Sequence, residues 1–252
     1  MMSTFSIVSP HTGTVYRELS LHTDSQIAQV MEAADTAFRN WRKTGISERV
    51  ALVESFCRVF LESKEAIAKD LTMQTVKPIA QSRGEVEGAV DRARQLAAIA
   101  EDALADYMLP DQDGFFRKIS REPVGVVLNI PAWNYPLLIA VNVIVPAVLS
   151  GNSVIIKHSR KTSLCGDHFA DAFEHAGAAN GLVSSVYADH SQVEKIINDS
   201  RIQFVGFTGS VSGGRHVYRA AAQNRFIDVG LELGGKDPAY VLSDADIGLP
   251  QR

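Results

Sequence analysis

The sequence predicts an α/β protein, a Rossmann-like parallel sheet with helices on both faces, preceded by an N-terminal helical layer. Three observations predict it. From Val124 onward, short apolar runs alternate with helical patterns, the order that calls for right-handed crossovers and a parallel sheet. Ahead of that point, apolar residues recur at helical spacing over long stretches. The 252 residues, 46% hydrophobic and 21% charged, also suffice for a sizeable core in one large domain or one domain with attachments.

In chain order, residues 5–20 read as a leading hairpin: Phe5, Ile7 and Val8, a turn over Ser9-Pro10-His11-Thr12-Gly13, then Val15-Tyr16. Thr23-Asp24-Ser25-Gln26 has the form of a capping box. Behind it Ile27, Val30, Met31, Ala34, Phe38 and Trp41 keep one helical face. A second helix is expected from Ser47-Glu48, burying Val50, Val53, Phe56, Cys57, Phe60 and Leu61. A third follows Pro78, with Val86, Val90, Ala93, Leu96, Ala97 and Ala100 inward. All three read as scaffold.

Leu109-Pro110-Asp111-Gln112-Asp113-Gly114 breaks the pattern, and 115–121 reads as an exposed strand or ribbon. Strands are then expected at 125–130, 153–157, 183–187, 203–207 and 227–231. Helices are expected at 137–149, 163–176, 192–198 and 213–222. Three regions result: a hairpin and helices over 1–110, a ribbon over 111–122, and the sheet domain over 123–252.

A formal charge of -4 without a polybasic run argues against nucleic acid as the partner. No apolar stretch reaches the roughly 18 residues needed to span a bilayer. The N-terminus lacks the basic start and apolar core of a signal peptide and is poor in arginine. Two cysteines, Cys57 and Cys165, make no disulfide framework and fit a reducing, cytoplasmic setting. Cys57 sits in an apolar stripe and reads as core. Cys165 falls in the first turn of a helix capped by Thr162 or Ser163, where the helix dipole can lower a thiol pKa; structural burial is the favoured reading. Neither HExxH nor CxxC spacing occurs, so no metal is expected.

Candidate site residues gather in 203–236. An apolar run, Phe204-Val205-Gly206-Phe207, breaks at Thr208-Gly209-Ser210 before a helical pattern. A strand turning into a helix this way leaves unpaired N–H groups and a positive dipole end, which suits phosphate. Gly209 lets a ligand approach the backbone, and the Ser210 hydroxyl can donate to it. Leu231-Glu232-Leu233-Gly234-Gly235 then sets one carboxylate among apolar neighbours, where desolvation raises its pKa towards that of a general base. A plain turn and a paired structural carboxylate remain the alternatives. Upstream, Ile130-Pro131-Ala132-Trp133-Asn134-Tyr135-Pro136-Leu137 makes a rigid turn at a strand's carboxyl end, where open α/β sheets bind ligands. Asn134 there either caps the next helix or touches a ligand. Lys157, at the end of another strand, is a surface charge or a site residue. No GxGxxG occurs.

The segments KPIAQSRGEVEGAVDRAR, PAWNYPL, GNSVIIK, FTGS and LELGGK, in that order, resemble the aldehyde dehydrogenase family. The resemblance covers nearly the whole chain but only the front part of a family member. It implies a truncated aldehyde dehydrogenase fold that lacks the catalytic domain, with 123–252 an incomplete NAD(P)-binding domain and 111–122 a bridging ribbon used in oligomers. It implies Asn134 as the oxyanion donor and Glu232 as the general base. Lys157 would contact the adenosine ribose. Gly209, Ser210 and Leu233 would line the cofactor site, with Ile130, Trp133, Ser159, Arg160 and Gly214 in the same set.

Departures from the family pattern are Val76 for glycine, Ala132 and His158 for proline, Val211 for threonine, and Ala188-Asp189-His190 for a glycine-rich loop. The wording leans towards semialdehyde-oxidising branches. Many NAD-using members carry glutamate where this chain has Arg160, followed by Lys161, so the cofactor expected is NADP or NAD with a lean to NADP. The implied reaction oxidises a small-molecule aldehyde to a carboxylic acid through a cysteine nucleophile, and no cysteine follows Glu232. The chain alone is therefore expected to be inactive. Alternatives are a non-catalytic nucleotide-binding or subunit-pairing module, or a truncated remnant. Homo-oligomers or pairing with full-length relatives are the protein partners implied.

Overall fold

A computed structural model describes residues 3–235, 237–246 and 248. Lys236 of LELGGK and Ile247 lie outside the described residues. The chain opens with an antiparallel hairpin of β1 (Thr4–Val8) and β2 (Val15–Ser20). Helix α1 (Asp24–Trp41) follows the expected capping box: the Thr23 hydroxyl accepts from the Gln26 N–H, and the Gln26 side chain accepts from the Thr23 N–H.

The expected three-helix scaffold contains a fourth member. After α2 (Ile46–Glu62) comes α3 (Lys64–Thr75), and only then α4 (Ile79–Leu104). The buried stripe of α3 is short, Ile67, Ala68 and Leu71 ending in polar Gln74, and Ser63 gives it no side-chain cap. Packing against α4, not local pattern, holds it in place. The ribbon pairs β3 (Tyr107–Met108) with β4 (Lys118–Ile119), so its first strand lies ahead of residue 111. Both strands are exposed, which leaves no buried alternation to read.

The sheet domain runs β5 (Val126–Ile130), α5 (Pro136–Leu149), β6 (Ser153–Ile156), a 3-10 turn (Arg160–Thr162), α6 (Leu164–His175), β7 (Val183–Ser185), α7 (His190–Asn198), β8 (Ile202–Gly209), α8 (Val211–Asn224) and β9 (Asp228–Leu233). The five strands are parallel in the order β7-β6-β5-β8-β9. The chain thus winds outward from β5 to β7, then returns to the other side of β5.

Alternate side chains feed two cores, as strand geometry requires. Val127, Val154 and Ile156 join a core built with α2, α4, α5 and α6. Within it Phe56 stacks on Phe173, ring centroids 4.2 Å apart. Val126, Leu128, Ile130 and Ile155 join the opposite core with α1, α7 and α8. Entry into β5 is held by Asn152, whose Oδ1 accepts from the Val124 and Gly125 N–H groups at 2.7 and 3.0 Å. No helix among the described residues is long and apolar enough to cross a membrane.

Candidate functional site

The reversal of strand order beside β5 leaves a crevice at the carboxyl ends of β5 and β8, where open α/β sheets hold ligands. A cleft of about 1630 Å³ opens there. One wall is the segment from Ile130 to Asn134 after β5, with Lys157 and Ser159 after β6. The other is Thr208, Gly209 and Ser210, with Glu232 and Leu233 at the end of β9. Pairing of β8 with β9 sets Thr208 opposite Glu232 and Gly209 opposite Leu233. The turn and the acid therefore face one cavity.

Asn134 does not cap α5. The N-cap is Tyr135, whose side chain makes no capping bond, and the Asn134 amide has no hydrogen bond to the described residues. Lys157 is no solvated surface lysine. It is half-buried, and burial first, then the neighbouring Arg160 charge, push its pKa down, against a weaker opposing pull from Asp189. A cation held this way gains from a polar ligand.

His158 stands beside it, buried, with its pKa depressed to about 4 by burial. Its Nδ1 accepts from the Ser159 N–H at 3.0 Å and from the Thr162 hydroxyl at 2.9 Å. That leaves Nε2–H to donate to the Pro136 carbonyl at 3.3 Å. A neutral imidazole thus ties the turn after β6 to the start of α5. Thr162 and Ser163 do not cap α6 as expected: Thr162 serves His158, and the Ser163 hydroxyl donates to the Ser159 and Arg160 carbonyls.

Several expectations need correction. Glu232 is exposed, not enclosed by apolar neighbours, because β9 is an edge strand with little beyond it. Gly214 does not line the cleft. It is buried, and a Cβ there would stand 2.6 Å from Leu233 Cδ2, so its smallness lets α8 pack on β9. Arg160 does not line the cleft either; its guanidinium lies 5.5 Å from the Phe5 ring centroid, on the hairpin. Its neighbour Lys161 does not line the cleft but lies over a residue that does, with Nζ 4.5 Å from the Trp133 ring centroid. The Ser210 oxygen accepts from the Gly213 N–H at 3.1 Å and so caps α8. Cys165, by contrast, is buried as the favoured reading had it: burial, reinforced by Glu85, Asp70 and Asp167, drives its pKa well up. Cys57 is likewise pushed up to about 12 by burial.

Residues missed in the sequence also line the cleft: His190 and Ser191 from α7, and His216 and Arg219 from α8. A signal for the first pair was present. Asp189-His190-Ser191-Gln192 repeats the capping-box form seen at Thr23, and both reciprocal bonds are made.

The sequence pattern of the aldehyde dehydrogenase family matches residues 2–249. The malonate-semialdehyde dehydrogenase of Listeria innocua serovar 6a is 28% identical over 241 residues, covering 96% of this chain and 49% of that protein. Succinic semialdehyde dehydrogenase from Streptococcus pyogenes, solved in complex with NADP+, superposes with a TM-score of 0.88 at 28% identity, over 97% of this chain and 53% of that one. A point mutant of betaine aldehyde dehydrogenase from Staphylococcus aureus, solved in complex with NAD+, superposes with a TM-score of 0.88 at 29% identity, over 98% of this chain and 50% of that one. The chain spans about half the length of the curated relatives it matches.

Proposed function

The chain belongs to the aldehyde dehydrogenase family, and from that premise we propose that it is the nucleotide-binding part of an NAD(P)-dependent enzyme oxidising an aldehyde to a carboxylic acid. The observation that carries this reading is the convergence of four strand ends, those of β5, β6, β8 and β9, on one cleft. The residues fit a dinucleotide. Lys157 and Ser159 serve its adenosine ribose, and the amino end of α8, with Gly209 and Ser210, serves its phosphates. Trp133, Ile130 and Leu233 supply apolar lining. The nicotinamide, when bound, supplies the hydride acceptor.

Asn134 donates its amide to the oxygen that turns anionic when the aldehyde carbon is attacked. Glu232 takes a proton from water for the hydrolytic half of the reaction. The attacking thiol is not one of this chain's own. Cys57 and Cys165 are buried at 0% and 1% exposure, outside the cleft, and held in the thiol form. These 252 residues alone therefore give no aldehyde turnover, and a polypeptide that completes the fold supplies the nucleophile. The relatives named above favour a semialdehyde as substrate, and the two unpaired thiols favour the cytoplasm.

Neither Arg160 nor Lys161 lines the cleft, but the positive charge of their turn beside Lys157 favours NADP over NAD by attracting a 2′-phosphate. Calorimetric titration tests this. NADPH should bind roughly tenfold tighter than NADH, the worth of about 1.4 kcal/mol, and Arg160→Glu should erase the difference. Binding of neither nucleotide to folded protein would end the reading.

A second reading, a subunit-pairing module, draws on one observation. Phe226, just ahead of the edge strand β9 in the chain, and Tyr240, Val241 and Leu242, after it, are exposed, and exposed apolar groups with an open strand edge invite another chain. Sedimentation showing a monomer across a wide concentration range would remove it.

A further inference from the structure

We propose that Lys77 and Glu85 are positioning residues that set the loop carrying Trp133 and Asn134 and leave the Asn134 amide free for the cleft. Helix α5 begins with Pro136, which has no N–H, so its first orphan donors belong to Leu137 and Leu138. A side chain just ahead of the helix normally takes such donors, and Asn134 is of the right type. Here they are taken from another helix. Glu85 of α4 accepts from the Leu137 N–H at 2.9 Å through Oε1, with the Leu138 N–H more distant at 3.5 Å. Its other oxygen pairs with Lys77 Nζ.

Lys77 completes the clamp. Its Nζ donates to the Asn134 carbonyl at 3.2 Å and lies 3.9 Å from the Tyr135 ring centroid. One ammonium therefore grips Asn134 by its backbone, Tyr135 by its ring and Glu85 by its charge. Glu85 is buried at 3% exposure, and the Lys77 side chain is 10% exposed. A buried ion pair is weak evidence of stabilisation, since desolvation cancels much of its attraction. It does hold a geometry, because each charge has few other partners.

The connection that delivers Lys77 is itself strained. Val76 has φ 66, a left-handed backbone that β-branched residues rarely adopt. Strain maintained beside a clamp is the pattern expected where a side chain must arrive in one place. Neither Lys77 nor Glu85 lines the cleft, so both act through the loop. The clamp itself stands on geometry alone; its value for an oxyanion rests on the function proposed above.

The sequence has two tryptophans, and fluorine NMR of 5-fluorotryptophan protein separates loop from fold. Trp133 reports the loop. Trp41, whose Nε1–H donates to the Val148 carbonyl at 2.8 Å, reports core packing. Lys77→Met should displace or broaden the Trp133 line and leave the Trp41 line in place, and Lys77→Arg should return Trp133 towards its original position. Should Lys77→Met not fold, Lys77→Met with Glu85→Gln removes both charges, keeps an acceptor for the Leu137 N–H and decides the matter. It should melt close to the parent and still show a displaced Trp133. An unmoved Trp133 line in either folded variant overturns the proposal, even where NADPH still binds. A displaced Trp133 in a protein whose parent binds neither NADPH nor NADH upholds the clamp and removes the nucleotide reading instead.

Discussion

Strands β5 and β9 belong to one parallel sheet and end on one cleft, yet they live in different solvents. Every residue of β5 is buried, whereas β9 alternates exposed and half-buried positions. The cause is position. β5 lies at the centre of the strand order, with the helices of both cores pressed on its two faces. β9 has a neighbour on one side only. The same split divides the cleft. On the β5–β6 wall, side chains are fixed by buried partners: His158 by Pro136, Ser159 and Thr162, and the 134–138 segment by Lys77 and Glu85. On the β8–β9 wall Glu232 stands exposed. One wall arrives preorganised; the other stands open to solvent.

The largest expected effect breaks the comparison directly. Leu128→Ala in β5, at 0% exposure, should cost about 2–5 kcal/mol. Leu231→Ala, half-buried in β9, should cost roughly 1 kcal/mol, because much of its surface is already in water. Urea midpoints of the two variants measure the gap, and equal losses would mean that β9 is covered in solution.

His158 sharpens it next. Its folded pKa of about 4 lies below the ordinary 6.5, so the unfolded chain binds the extra proton between those values. The contribution is fully present above about pH 6.5 and fades as pH falls towards 4, a loss of order 3 kcal/mol at most. His158→Gln should flatten that part of the stability–pH curve. A parent curve as flat as the variant's would show that the imidazole is not held neutral.

Val76→Gly relieves a left-handed valine at φ 66 and should stabilise by about 0.5–1 kcal/mol, glycine's own entropy offsetting part of the relief. Smallest of all, Glu232→Gln on the exposed wall should shift stability by less than about 0.5 kcal/mol. A larger drop would reveal a partner for that carboxylate.

Much of the fold was legible, and the exceptions share a cause. The strands and helices of the sheet domain fall within a few residues of their expected places, since each carries its own period and break. α3 was not legible: its stripe of Ile67, Ala68 and Leu71 is brief, its end is polar, and α4 defines it. Nine of the proposed site residues do meet at the cleft, from Ile130 to Leu233, while Arg160 and Gly214 stand outside it. Glu232 was misjudged in burial because leucine neighbours along a strand say nothing about whether a helix or another strand covers them. Cys165 was legible: its favoured reading was burial, which is found and acts against the helix dipole.

By itself the sequence determined the alternation of strand and helix, the breaks at which a ligand can be met, and the family. These reside in windows of a few residues, where backbone preference and side-chain period act locally. Tertiary structure alone decided which side chains share the cleft, which carboxylate is wet, and that the start of α5 is capped by Glu85, 52 positions earlier in the chain. Such contacts follow from how layers pack, and packing brings together groups whose separation along the chain carries no local signal.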